Sequence, residues 1–181
     1  MTLIKSISGI RGTIGGRTGE SLTPVDIARF TAAYGQWLLK RASFPVSSVV
    51  VGRDARVTGE MVSSMVVATL RGMGINVTDL GMATTPTVEV AVTGLGASGG
   101  IILTASHNPA NWNALKLLNE KGEFLSASDG NEVLEIAGKE DFEFASWDKC
   151  GTLVSDNTWN QKHIDMVLSM KLTDVNAIRS A

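Results

Sequence analysis

Cysteine is almost missing from this chain. Cys150 stands alone, so no internal disulfide can form, which suits a reducing compartment, and the thiol itself reads as an inert packing residue. Long apolar runs are missing as well: none approaches the roughly 18 to 20 residues that span a bilayer, so a membrane role is not expected. The start, Met1-Thr2-Leu3-Ile4-Lys5-Ser6, has no charged segment leading into a long apolar stretch and does not read as a secretion signal. From these absences a cytoplasmic location is expected. Charge of one sign is also lacking. The formal net charge of -2 calls for neither nucleic acid nor an anionic membrane, so any anion must be bound by a local group of cations.

What is present is glycine, in short clusters that suggest tight loops between regular elements. Ser6 to Gly19 holds five glycines and reads as an irregular loop or a hairpin. At Thr23-Pro24 a helix begins, with Thr23 as N-cap, Pro24 at the first helical position and Ile27, Phe30, Tyr34 and Leu38 at helical spacing. Ser47 to Gly52 reads as a buried strand, Thr58 to Met73 as a helix and Ile75 to Leu80 as a second strand. The pattern repeats with a short helix over Pro86 to Thr93 and a strand over Gly99 to Thr104, then a strand from Ala114 to Asn119 and a helix from Ser126 to Gly138. Such alternation predicts an α/β fold, a three-layer α/β/α domain with a largely parallel, mixed sheet between its helices. Past Phe142 the pattern weakens. We expect one domain over residues 1–150, then a linker and the helical start of a truncated second domain over 151–181, with helices at Thr158 to Met170 and Asp174 to Ile178.

In open α/β sheets ligands bind beyond the carboxyl ends of the strands. Three loops answer to that position: Gly52-Arg53-Asp54, Thr84-Thr85-Pro86, and Thr104-Ala105-Ser106-His107-Asn108-Pro109. The last has the richest chemistry, because it sets a strand-end nucleophile beside a histidine and an asparagine, with a proline limiting the loop's shape. Lys116 follows on a strand that can bring its ammonium back over the same loop.

The run from Thr104 to Pro109, with Asn113 and Lys116 after it, closely resembles the active-site loop of the phosphohexomutases, a family that includes phosphoglucomutase, phosphomannomutase and phosphoglucosamine mutase. Ser8-Gly9-Ile10-Arg11-Gly12 and Gly52-Arg53-Asp54 extend the resemblance over most of residues 1 to 150. It implies that Ser106 carries the phosphoryl group, and that Arg11 and Lys116 are the basic residues beside it, neutralising the phosphate and assisting proton transfer. His107, which also resembles a residue shaping the loop, is counted with these catalytic residues, and Asn108, Asn113, Arg53 and Asp54 are expected to shape the loop or meet the substrate. The implied reaction moves a phosphoryl group between the 1 and 6 positions of a hexose or hexosamine phosphate through a bisphosphate. The implied cofactor is Mg2+, met by this chain only through the phosphoryl group on Ser106, since the family's aspartate-rich metal loop is absent from these residues. The sugar-recognition and distal phosphate loops are absent too, so the isolated chain is expected to be inactive without C-terminal domains of the same polypeptide. Ile7 stands where the family usually has threonine, and Ala114 where it has glycine. The compact start Ile4 to Gly9 resembles that of the bacterial phosphoglucosamine mutases, a resemblance that implies glucosamine phosphate as the sugar, with glucose and mannose phosphates as alternatives.

Simpler readings stand beside these. Arg53 and Asp54 are expected to pair with each other and fix their loop. His163 reads as structural or solvated, and Met61, Met65 and Met73 as core. Gly94-Leu95-Gly96-Ala97-Ser98-Gly99 matches the dinucleotide pattern, but it follows a helix and opens a strand, the reverse of what that fingerprint requires. Asn76-Val77-Thr78 matches a glycosylation acceptor inside an expected strand. A serine hydrolase would need glycines flanking Ser106, which are missing. A non-catalytic phosphosugar-binding module is the other alternative.

Overall fold

The computed structural model describes residues 1–6, 9–41 and 48–180. Ile7, Ser8 and Ser47 lie outside the described residues, and with them the first residue of Ser8-Gly9-Ile10-Arg11-Gly12 and the expected start of the first buried strand.

Thirteen elements follow one another among the described residues: β1 (Ile4–Ser6), β2 (Gly9–Thr13), α1 (Pro24–Arg41), β3 (Val49–Arg53), α2 (Gly59–Gly72), β4 (Val77–Met82), α3 (Thr85–Leu95), β5 (Gly99–Leu103), β6 (Trp112–Leu118), α4 (Ala127–Lys139), β7 (Leu153–Ser155), α5 (Trp159–Leu168) and α6 (Val175–Ser180). Seven strands form one sheet in the order β1-β2-β6-β5-β3-β4-β7. Pairing is parallel from β5 through β3 and β4 to β7, and antiparallel from β5 through β6 and β2 to β1. The fold is therefore a mixed α/β/α sandwich.

Alternation along the strands divides the core in two. Val49, Val51, Ile101, Leu103 and Leu115 face α1, α2 and α4, whereas Val50, Leu80, Ile102 and Leu118 face α3 and Trp159 of α5. Both sheet faces are covered at β3 and β5, which is why those two strands read as nearly continuous apolar runs. Among the described residues no helix is long and apolar enough to cross a membrane.

Local chemistry sets the element ends. At the start of α1, the Thr23 hydroxyl accepts the Asp26 N–H at 3.4 Å while the Asp26 carboxylate accepts the Thr23 N–H at 3.2 Å, a reciprocal cap of the kind that stabilises by about 1 kcal/mol. Asp26 is fully buried and also accepts the Gly19 N–H at 3.0 Å, which ties the glycine-rich segment to the helix. That segment is a hairpin of β1 and β2 followed by bridges at Ile14–Leu22 and Thr18–Ser21. In the layer between α1 and the sheet, Tyr34 donates its phenol proton to the Leu118 carbonyl at 2.7 Å, and burial pushes its pKa well up. A methyl on Gly99 would lie 2.1 Å from that phenol oxygen, so only glycine fits there.

The segment after Cys150, expected to open a second domain, is continuous with this sheet. β7 pairs in parallel with β4, from Val77 opposite Leu153 to Asp79 opposite Ser155, and Trp159 is buried against α3. Two packing expectations are corrected. Cys150 is exposed rather than packed, and Met61 is 37% exposed on the outer side of α2, leaving Met65 and Met73 to contact the core.

Candidate active site

The connection from β3 to β4 carries α2 on one face of the sheet, and the connection from β4 to β5 carries α3 on the other. Because β3 lies between β4 and β5, the two connections part at its C-terminal end, the switch point where open sheets bind ligands. Two loops meet there: residues 54–58 after β3 and residues 104–111 after β5. They are joined at the sheet edge, where the Asp54 N–H donates to the Leu103 carbonyl at 3.1 Å.

Ser106 lies at the tip of the second loop with φ at +54°, a left-handed conformation rare outside glycine. Its N–H donates to the Thr104 hydroxyl at 3.0 Å, and its Oγ lies 3.5 Å from Nδ1 of His107. Both side chains are exposed. Asn108 closes the turn on itself, giving its backbone N–H and its side-chain Nδ2 to the Ala105 carbonyl at 3.0 and 2.8 Å. Asn113 is fully buried, and its Nδ2 donates to the Thr58 hydroxyl at 3.2 Å, linking the start of β6 to the start of α2. The sequence placed Ser106, His107, Asn108 and Asn113 in one loop system, and the structure brings them together.

Arg11 and Lys116 stand on neighbouring strands. Arg11 is opposite Ala114 in the β2–β6 ladder, and Lys116 is two residues further along β6, so the pleat directs both side chains to one face of the sheet. Lys116 is in register with Ile102, whose side chain packs in the cluster that includes α3, and this fixes the face as the one opposite α1, α2 and α4. The Arg11 Nε is buried without a hydrogen-bond partner, and neither cation has a carboxylate partner among the described residues. The Lys116 ammonium lies 5.7 Å from the Phe124 ring centre. Two cations on one sheet face, neither with a carboxylate partner, make a setting for an anion.

Arg53 and Asp54 do not pair with each other as expected. The Arg53 guanidinium donates to the Asp54 backbone carbonyl at 3.3 Å, while the Asp54 carboxylate accepts from the backbone N–H and the Nε of Arg56, both at 3.1 Å. The carboxylate thus accepts from the backbone two residues on, as in an Asx turn, and takes the Arg56 side chain with it. Arg56 went unnoticed in the sequence. Its guanidinium Nη1 donates to the carbonyls of Pro109 and Trp112 at 2.7 and 2.9 Å, and its Nη2 to those of Ser106 and Asn108, both at 2.8 Å.

Beside the serine loop, beyond the ends of β3 and β4, a cavity of about 730 Å3 is lined by Arg53, Asp54, Thr84, Thr104, Asn160 and His163. Ser106, Arg11 and Lys116 do not line it. His163 is half-buried at its wall, with Nδ1 3.0 Å from the Thr87 hydroxyl. Among the described residues no group of three or more His, Cys, Asp or Glu side chains gathers to hold a metal ion.

Residues 3–144 match the family model described as phosphoglucomutase/phosphomannomutase, alpha/beta/alpha domain I. The chain is 40% identical over 144 residues to a phosphoglucomutase/phosphomannomutase of Thermococcus kodakarensis, covering 78% of this chain and 31% of that one. It is 34% identical over 172 residues to a phosphoglucosamine/phosphogalactosamine mutase of Sulfurisphaera tokodaii, covering 95% of this chain and 34% of the relative. A crystal structure of a phosphoglucomutase/phosphomannomutase family protein from Burkholderia thailandensis superposes over 95% of this chain and 37% of its own with a TM-score of 0.75 at 24% identity, a likeness of fold. The chain thus spans about a third of the length of the curated relatives it matches.

Proposed function

This chain belongs to the phosphoglucomutase/phosphomannomutase family, and from that premise we propose that it is the phosphoryl-carrying domain of a phosphohexomutase, with Ser106 as the residue that carries the group. The observation that supports this most directly is an exposed serine held at a left-handed strand-end turn while two cations without carboxylate partners, Arg11 and Lys116, share one sheet face on the adjoining strands.

A phosphoserine holds about -1.5 to -2 charges at neutral pH, so its formation and breakdown need cations close by. Arg11 offers planar donors whose Nε has no other partner, and Lys116 offers a compact charge. In the forward half-reaction the bond between phosphorus and the Ser106 Oγ breaks, and a bond forms to a hydroxyl oxygen of the sugar phosphate. The hydroxyl proton leaves as that bond forms, and the released serine oxygen takes up a proton. The resulting bisphosphate turns over and its other phosphoryl group returns to Ser106 by the reverse exchange, leaving the monophosphate isomer. Arg11 and Lys116 stabilise the equatorial oxygens during transfer, where positioning and electrostatics supply most of the acceleration. His107 hydrogen-bonds the serine oxygen, and Asn108 and Asn113 keep the loop closed.

Mg2+ would be held on this chain only by the phosphoryl group of Ser106, since no cluster of metal-ligating side chains gathers among the described residues. When bound there, the ion would supply charge neutralisation at the phosphoryl oxygens. Glucosamine phosphate is the sugar we favour, in keeping with a relative named phosphoglucosamine/phosphogalactosamine mutase; glucose and mannose phosphates are the alternatives.

Phosphopeptide mass spectrometry tests the reading in the polypeptide that carries this domain, comparing native protein with Ser106→Ala before and after incubation with a hexose bisphosphate and Mg2+. Phosphate on Ser106 that disappears in the alanine variant is the expected result. No phosphate at that position under any of these conditions would sink the mechanism and favour a non-catalytic phosphosugar-binding module.

A further inference from the structure

Arg56 lies two residues past the Gly52-Arg53-Asp54 run, outside every residue assigned a role above. Its side chain is 11% exposed. A guanidinium has five N–H donors in a fixed fork, and here all five are engaged: Nε with Asp54, Nη1 with the carbonyls of Pro109 and Trp112, Nη2 with those of Ser106 and Asn108. The acceptors reach from the serine itself to the first residue of β6, so one side chain on the β3–α2 loop gathers the whole β5–β6 loop.

The contrast with Arg11 is informative. Arg11 keeps an unpartnered Nε, which suits a ligand, whereas Arg56 has no donor left for one. Its Nε carboxylate partner, Asp54, also accepts the Arg56 backbone N–H and so anchors the guanidinium from its own loop. Ser106 contributes its carbonyl to this clamp while its backbone is in the left-handed region.

We infer that Arg56 is a positioning residue for phosphoryl transfer: its guanidinium fixes the backbone of residues 106–112 so that the Ser106 hydroxyl is presented to the reacting phosphate without Arg56 touching that phosphate. The inference rests on Ser106 being the phosphoryl carrier. Lysine at this position keeps the charge but has three donors on a point-like ammonium, which cannot span four carbonyls and a carboxylate. Small misplacement of a reacting group can cost about 10²-fold in rate.

The test uses the polypeptide in which this domain occurs, comparing native protein with Arg56→Lys and Asp54→Asn. It measures kcat and KM for hexose phosphate isomerisation, Ser106 phosphorylation, and backbone hydrogen exchange across residues 104–113. Arg56→Lys is expected to lower kcat about 10²-fold with KM nearly unchanged and to speed exchange in the loop. Asp54→Asn, which keeps the guanidinium but weakens its anchor, is expected to lower kcat less and serves if the lysine variant does not fold. Added guanidinium ion should restore part of the rate to Arg56→Ala. A phosphorylated native enzyme whose folded Arg56 and Asp54 variants keep native kcat would overturn the inference alone, as would a variant that raised KM at native kcat. Native protein that never takes phosphate on Ser106 overturns the carrier reading and the catalytic role together.

Discussion

Removing the Trp159 side chain should loosen a segment that the sequence alone would assign to a different domain. The indole is 7% exposed and packs in the cluster of Val50, Leu80, Val88, Ala91, Val92, Ile102 and Leu118. Trp159→Ala therefore deletes a nearly buried aromatic and is expected to cost about 3–5 kcal/mol. Its contact with α3 supplies an internal control. A methyl built on Gly94 would lie 2.5 Å from the Cη2 of Trp159, so Gly94→Ala overpacks the site and should cost about 1–3 kcal/mol in the native background. In the Trp159→Ala background the clash is gone and the helix gains a better former, so the same substitution should stabilise by about 0.5–1 kcal/mol. The two changes should thus show a coupling of about 1.5–4 kcal/mol in a double-mutant cycle, far above the ~0.5 kcal/mol within which independent sites add. Urea denaturation followed by far-UV circular dichroism reads all four proteins without depending on the tryptophan signal. Additive free energies, together with a cost below about 1 kcal/mol for Trp159→Ala, would refute the packing of α5 against α3.

At the loop, Ser106→Gly should unfold at the same or a higher denaturant concentration than native protein, whereas Ser106→Val should be about 1–3 kcal/mol less stable than the glycine variant, because a β-branched residue resists the left-handed backbone. Equal stability of the two would contradict the positive φ. Hydrogen bonds from the Thr158 hydroxyl and N–H, with Lys162 close by, hold the Asp156 carboxyl at a pKa of about 2, below its ordinary 3.8. A depressed folded pKa stabilises above the unfolded value and loses that contribution as pH falls through the folded one. Unfolding measured from about pH 5 down to pH 2 should therefore lose stability on the acid side, and Asp156→Asn should remove that part of the slope; an unchanged slope in the variant would exclude it.

The parts of this fold that were legible in the sequence are those whose signal is local. Pro24 after Thr23, the apolar stripe from Ile27 to Leu38 and the run Val49-Val50-Val51 each declare their element within a few residues, and all three form. β7 was illegible because Leu153, Val154 and Ser155 are all exposed, so a short edge strand shows no alternation between a wet face and a dry one. For the stretch with β1 and β2 the sequence left a loop and a hairpin both open, because its glycines mark turns without saying that some serve close packing; a methyl on Gly9 would lie 2.3 Å from the Leu115 carbonyl. At the site, Ser106, His107 and Asn108 stood out because chemistry-bearing side chains were adjacent. Arg56 did not, because its partners are backbone carbonyls that any sequence carries, and only the folded chain brings them to one guanidinium. The expected Arg53–Asp54 pair went wrong for a related reason. Adjacency in sequence favoured Arg53, while the turn delivered the carboxylate to the residue two places on.

The register of β2 has a consequence for the order in which the molecule is made. Arg11 pairs opposite Ala114, so its strand cannot take its place in the sheet until about 100 further residues have been synthesised. At roughly 5–20 residues per second, the N-terminal hairpin waits on the order of 5–20 s outside the ribosome with its partner strand unmade. During that interval β3, α2, β4, α3 and β5 can assemble as nearest neighbours in the parallel half of the sheet. A strand made before β3, α2, β4, α3 and β5 is then docked after them, and the arrival of β6 both ends its wait and brings Arg11 and Lys116 to the same face in a single event.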